Sequence, residues 1–428
     1  MELDKFGNYQ PRGDAIWLAR PTETFAQICP FSPVAANEDQ LAAALFPDAP
    51  TRDKRIGSFE AAYVGYVAED DFRLNGSSGG LVSWVANELL KNGLVDGVAH
   101  VVPVENPQDE GKFFRYRIAR TPQEIGQGAK SRYYPVEMSE ILAQIRATPG
   151  RYAVIGVPCF IKAIQLLRRQ DEVLRERVAF TLGLFCGHMK SARFIESFAW
   201  QMNVPIEEVT RVEFRLKDLT RAANVYTAQL TTRDGNEHRK DWWNLADGDW
   251  GAGFFQNSAC NFCDDVVAET ADVSFGDAWV EPYSSDGRGT NVVVARSPVV
   301  AALIAKAIED GRLHLENVDA EFIGQTQAAG FRQRREGLSY RLRWPRVGVR
   351  PRKRVAPFRL IAPRRKLIYL MRALISAGSH RMFWLARALK RPQIYLRRAK
   401  WSLDVYHGLA YERGKVGEWV KRLRLREK

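Results

Sequence analysis

Strand, helix and strand follow one another within about 35 residues near the middle of this 428-residue chain, and that run constrains the fold more than any other. Residues 152–157 (YAVIGV) are a short apolar strand. Residues 160–169 place Ile161, Ile164 and Leu167 on one side of a helix, and residues 178–185 (VAFTLGLF) are a second strand. A crossover of this kind joins parallel neighbours in one sheet, so both strands should end at the same edge. Cys159 follows the first strand and Cys186 ends the second. Their thiols are therefore expected together at the carboxyl edge, where open α/β sheets bind ligands.

The flanking sequence supplies the rest of an α/β, mixed α+β domain. Strands are expected at 61–68, 98–104, 271–279 and 291–296, and helices at 81–93, 138–147, 190–202 and 298–310. Segments 211–217 and 224–232, with the turn at Asp234-Gly235, read as an antiparallel hairpin meander. Six prolines break up the first fifty residues. This divides the chain into a lead-in (1–54), a sheet-and-helix region (55–330) and a basic helical C-terminal extension (331–428).

Charge marks the last boundary. The net charge is +13, but residues 331–428 hold 29 Lys+Arg against 5 Asp+Glu, a balance of +24, which leaves −11 on the remainder. Between residues 365 and 398 polar and apolar positions alternate as on an amphipathic helix with an arginine-rich face. Trp384 and Trp401 lie nearby, and Gly378 and Pro392 are expected to divide the helix. Such a segment suits an anionic membrane surface. The same residues could meet an acidic partner or pack on the acidic body, and nucleic acid is disfavoured because the body is acidic and carries no recognised binding module. No apolar leader opens the chain and no run of 18 uncharged apolar residues occurs, so a cytoplasmic protein, peripheral on the inner membrane face, is expected.

Cys260-Asn261-Phe262-Cys263 is a CxxC, a spacing shared by zinc sites, iron–sulfur clusters and redox disulfides. Two sheet-edge thiols plus this turn could form one four-thiolate site for zinc or a cluster. The alternative is that the strand-end cysteines are small buried hydrophobes. Cys29 is left over as a plain thiol.

Gly76-Ser77-Ser78-Gly79-Gly80 with the helix that follows, the stretch Gly128-Ala129-Lys130-Ser131-Arg132-Tyr133, Gly156-Val157-Pro158-Cys159, Gly183-Leu184-Phe185-Cys186, the CxxC and residues 271–279 (ADVSFGDAW) occur in the order seen in one family. Over about residues 55–300 the chain resembles the coenzyme F420 hydrogenase/dehydrogenase beta-subunit family, which includes flavoprotein reductases and proteins encoded with bacterial polysaccharide biosynthesis. The resemblance implies an oxidoreductase with FAD and a 4Fe-4S cluster. It would pass electrons between an external carrier, ferredoxin or coenzyme F420, and an organic substrate, with a place in exopolysaccharide assembly. By position, Cys159, Cys186, Cys260 and Cys263 would be the cluster ligands.

The flavin would lie at Gly76, Ser77, Ser78, Gly79 and Gly80, where backbone amides and a helix N-terminus favour phosphate. The same residues are also what a plain helix cap uses. Lys130, Ser131 and Arg132 would also meet the flavin: the run Lys130-Ser131-Arg132-Tyr133 stands where the family has Ser-Lys-Tyr, with Arg132 in place of the lysine, unless it is only a solvated basic turn. Asp277 is a candidate carboxylate aimed at the bound ring or cluster loop, or a turn residue capping its own backbone. His188 is a candidate proton donor, or only hydrogen-bonded structure. The ferredoxin-like module that opens many relatives is expected to be missing, with residues 1–11 and Ile28-Cys29-Pro30-Phe31 as its remnants. A second reading is a non-catalytic, membrane-associated scaffold that keeps a structural metal site of four cysteines.

Overall fold

The computed structural model describes the chain apart from residues 21, 345–350, 352, 359, 424 and 426–428, so those parts of the basic tail lie outside the described residues. The main strands are β1 (Ala61–Val67), β2 (Gly97–Pro103), β3 (Phe114–Ala119), β4 (Tyr152–Gly156), β5 (Val178–Leu184), β6 (Val209–Glu213), β7 (Thr227–Thr232), β8 (Glu237–Asp241), β9 (Val273–Asp277), β10 (Asn291–Ala295) and β11 (Leu313–Asn317). The main helices are α1 (Leu81–Lys91), α2 (Ser139–Ala147), α3 (Pro158–Arg168), α4 (Arg193–Met202), α5 (Pro298–Glu309), α6 (Pro363–Ala388), α7 (Pro392–Tyr411) and α8 (Gly414–Arg422).

Eight strands form one mixed sheet in the order β11-β1-β10-β9-β5-β4-β2-β3. β9, β5, β4 and β2 are mutually parallel, and the strands outside them pair antiparallel. The β4–α3–β5 crossover is the unit expected from its periodicity. Every residue of β4 is buried, because side chains alternate between two covered faces. Ala153 and Ile155 pack with α1 and α5, whereas Tyr152 and Val154 pack with α2 and α3. The meander 211–217 and 224–232 is a separate antiparallel sheet, β6-β7-β8.

Two strands of the large sheet escaped the sequence reading. β3 (FRYRIA) and β11 (LHLEN) are its edges, with one face near water, so charged residues interrupt their apolar pattern.

The basic tail is helical: the short helices Ala328–Arg334 and Glu336–Arg341 lead into α6, α7 and α8. Pro392 opens α7 at its first turn, as expected, but Gly378 does not divide α6, which runs through it for 26 residues. A glycine inside a helix costs about 1 kcal/mol relative to alanine. Buried Ile375 and Phe383 on either side hold the helix against the body and offset that loss. Ile368, Met371, Ile375, Phe383 and Tyr395 share one core with Phe194, Phe198, Trp242 and Phe255. Part of the opposite charge also pairs. Lys353 Nζ lies 3.2 Å from Asp264, and Arg354 lies 2.7 Å from both Glu269 and Asp39.

Candidate functional site

The parallel block brings Cys159, Cys186 and Asp277 to one edge, because each ends or directly follows a parallel strand. β10 and β1 run antiparallel across the same edge in the register Asp277–Asn291–Gly65, which brings the glycine–serine loop there too. Cys260 and Cys263 arrive from a short 3-10 turn, Ser258–Phe262, capped by Asn257. Arg341 Nε donates to Asn261 O at 2.9 Å, and the Cys186 amide donates to Val266 O at 2.9 Å, tying this loop to the edge.

The thiols of Cys159 and Cys186 feel those of Cys260 and Cys263. Burial, then Cys263, Cys260 and Cys186, push the Cys159 thiol well above its ordinary range. Burial likewise raises Cys260 and Cys263 and lifts Cys186 to about 12. Cys263 is buried, and the other three keep accessible surface although protein surrounds them, so they border a recess rather than fill a core.

Two kinds of donor face them. The Met189 amide donates to Cys260 Sγ at 3.3 Å. Arg334 donates to the carbonyls of Cys186 and Gly187 at 2.7 and 2.8 Å, with its Nε and Nη1 buried and unpartnered. Burial works against the Arg334 charge, and Cys263, Cys186 and Cys260 more than offset it. Among the described residues no three His, Cys, Asp or Glu side chains stand close enough to share a single metal ion. Cys29 keeps apart: it ends the short helix Glu23–Ile28 in the lead-in.

At the glycine–serine loop, the backbone explains the glycines. A Cβ on Gly79 would stand 2.7 Å from Gly65 O and 2.9 Å from Asn291 N, and one on Gly80, at φ +90°, would stand 2.6 Å from Phe72 O. The close approach is thus to the chain's own backbone, the sheet at Gly79 and the preceding helical turn at Gly80. Asn291 Oδ1 accepts from the Leu81 amide at 3.2 Å, and Ser78 Oγ donates to Thr290 O at 2.8 Å. The amides of Ser77, Ser78, Gly79 and Gly80 donate to no protein acceptor among the described residues. Unpaired amides at largely buried positions are rare, and four in succession offer donors suited to an anion.

Cations close around that loop. Ser77 Oγ accepts from the Ser131 amide at 2.8 Å, which brings Lys130 alongside. Arg215 donates to Ser77 O at 3.2 Å, and Lys217 donates to Ser78 O at 3.1 Å and Arg288 O at 2.7 Å. Burial, followed by Lys130, Arg73 and Arg215, lowers the Lys217 pKa to about 7. Arg132 is buried with Nε and Nη1 lacking hydrogen bonds; it lies 3.5 Å from Glu213 and over the Phe114 ring.

Asp277 faces Arg215, 3.0 Å from Nη1, so its carboxylate orients that guanidinium. His188 is buried and stacked on Trp250 at 4.1 Å, with Nε2 unpartnered. Burial, then Lys190, Arg372 and Arg334, hold it neutral. The thiols and the loop are joined by a wall: Trp250 lies over Gly187, its ring is 4.7 Å from Tyr133, and Tyr133 interacts with Arg215. Arg73, Arg215, Lys217 and Arg334 belong to no motif in a chain with 63 Lys+Arg, so sequence alone singles none of them out. An open groove of about 300 Å³ beside β3, lined by Arg115, Tyr116, Arg117, Ile118, Glu140 and Gln144, contains none of the candidate residues.

A mixed sheet whose carboxyl edge gathers four thiols beside a cation-lined amide loop has the build of a redox protein. The family models for the coenzyme F420 hydrogenase/dehydrogenase beta subunit match it twice, the N-terminal part at residues 62–143 and the C-terminal part at residues 150–321. The chain belongs to this oxidoreductase family. An uncharacterized protein of Methanocaldococcus jannaschii is 24% identical over 263 residues, 60% of this chain and 88% of the relative. A chain of the F420-reducing NiFe hydrogenase complex from Methanosarcina barkeri shares the fold, with TM-score 0.51 and 19% identity over 66% of this chain and 92% of that one.

Proposed function

We propose that the protein is an iron–sulfur flavoprotein that passes electrons between an external carrier, ferredoxin or coenzyme F420, and an organic substrate. The observation that carries this reading is the convergence of four thiols from three chain segments next to the amide loop and its cations.

Cys159, Cys186, Cys260 and Cys263 would hold the cluster. The influence of the other three thiols on Cys159 suits one shared four-thiolate site. Raised thiol pKa values mean that loading must release protons. Arg334 would then balance the thiolate charge, and the Met189 amide would donate a hydrogen bond to the Cys260 thiolate.

Residues 77–80 would take the flavin's phosphates on their amides, with Lys130, Arg215 and Lys217 supplying charge. A bound cluster supplies one-electron chemistry and a bound flavin two-electron chemistry. Asp277 orients Arg215, and neutral His188 under Trp250 helps exclude water between the two groups rather than delivering a proton from solvent.

Anaerobic purification with visible spectroscopy and iron, zinc and flavin analysis is the test. A broad brown shoulder with about four irons per chain and resolved flavin bands are expected. Zinc alone, or iron with no flavin after incubation with FAD, would overturn the reading.

A further inference from the structure

One side of α6 packs against the body through Ile368, Met371, Ile375, Phe383 and Ala386. Its other side carries Leu367, Leu370, Leu374, Trp384, Leu385 and Leu389, all exposed, with Leu374 56% and Leu389 53% accessible. Steps of three and four residues join Leu367, Leu370 and Leu374, and Trp384, Leu385 and Leu389 return to the same face ten residues on, so the two groups line one side of the helix over about 33 Å with Arg381 between them. An extension that only packs on its own body needs one apolar face, so the second calls for a partner.

We propose that this stripe seats the protein on an anionic lipid surface, with α6 lying in the headgroup layer. Charge selects the occupant. No Asp or Glu occurs between Glu336 and Asp404, a segment that includes α6 and the first part of α7. At 100° per residue, Lys366 and Arg381 fall on or beside the stripe, and Arg397, Arg398 and Lys400 are exposed on α7. Lys5 Nζ lies 4.8 Å from the Trp384 ring, and the Arg398 guanidinium 4.3 Å from the Trp401 ring; both tryptophans are exposed. Exposed tryptophan beside cations is what a membrane interface accommodates.

A second copy of the chain would bring the same cations face to face. A nucleic acid would reward the cations but leave six large apolar side chains against a polar backbone. Among the described residues no helix is long and apolar enough to cross a membrane, so α6 lies on the bilayer. Deleting residues 331–428 cannot test this, since Ile368, Phe383 and Tyr395 are part of the body's core.

The experiment is flotation of the full-length protein with vesicles of equal parts phosphatidylcholine and phosphatidylglycerol, and with phosphatidylcholine alone. Binding should occur on the anionic vesicles and fade from about 0.01 M to about 1 M salt, as the screening length falls from about 30 to about 3 Å. Leu370→Glu with Leu374→Glu should abolish it while the melting temperature holds. Lys366→Gln with Arg381→Gln, which leaves the stripe apolar, should weaken it roughly 30-fold, from about 1 kcal/mol per cation and 1.4 kcal/mol per tenfold. The proposal fails if the protein stays unbound on anionic vesicles at low salt, or floats equally with neutral ones. It also fails if the leucine pair instead abolishes a concentration-dependent dimer, or if the protein binds RNA or DNA but no lipid.

Discussion

Lys217 gives the anion loop a pH signature that can be worked through in advance. Burial, then Lys130, Arg73 and Arg215, lower its pKa from 10.5 to about 7, with Asp277 opposing. An anion laid on residues 77–80 would add negative charge beside the ammonium and pull that pKa up again. Binding at a pH above 7 therefore takes up a proton. FAD affinity should be flat below about pH 7 and fall above it, by at most tenfold, or about 1.4 kcal/mol, per pH unit. The fall ends where pH reaches the raised pKa of the complex.

Calorimetric titration of the flavin-depleted protein with FAD from about pH 6 to about pH 9, in buffers of different ionisation enthalpy, reads both the affinity and the proton count. Lys217→Arg keeps the charge throughout this range, so it should retain binding and flatten the profile. A wild-type profile as flat as that of the variant would refute the argument. Folding stability responds to the same titration in the opposite direction. Between about pH 7 and the unfolded value of 10.5 the unfolded chain holds a proton that the folded one has released, so this residue makes stability rise with pH across that window.

Three further outcomes follow from the geometry. Alanine at Cys159, Cys186, Cys260 or Cys263, in protein purified without oxygen, should remove most of the iron, whereas Cys29→Ala should not; equal loss at Cys29 would reject the ligand set. Gly79→Ala should lower the urea midpoint by the equivalent of about 1–3 kcal/mol, because its Cβ would meet Gly65 O at 2.7 Å and Asn291 N at 2.9 Å; an unchanged midpoint would show that the loop can shift. Phe383→Ala should cost about 3–5 kcal/mol and Trp384→Ala within about 0.5 kcal/mol in thermal or urea unfolding, since the first is fully buried and its neighbour faces outward; similar losses at both would contradict the helix orientation.

By itself the sequence determined those features whose causes lie within one or two turns of chain. The β4–α3–β5 crossover, its parallel pairing and the placement of Cys159 and Cys186 at one edge follow from local periodicity and from the geometry that a short crossover allows. The amphipathic pattern of the tail and its excess of charge are equally local. Tertiary structure decided everything that depends on which surfaces meet. Arg334 comes to the thiols from about 150 residues beyond Cys186, and Arg215 and Lys217 reach the amide loop from the segment that follows β6 of the separate sheet; isolated cations carry no periodicity that marks them beforehand. The glycines of residues 76–80 read as room for a ligand, yet Gly79 is required by the chain's own backbone, a requirement visible only once β1 and β10 are paired beside it. In α6 the apolar residues look alike along the chain. Packing buries Ile368 and Phe383 and leaves Leu374 and Trp384 in water, because periodicity defines the faces of a helix but only the docking partner determines which of them is covered.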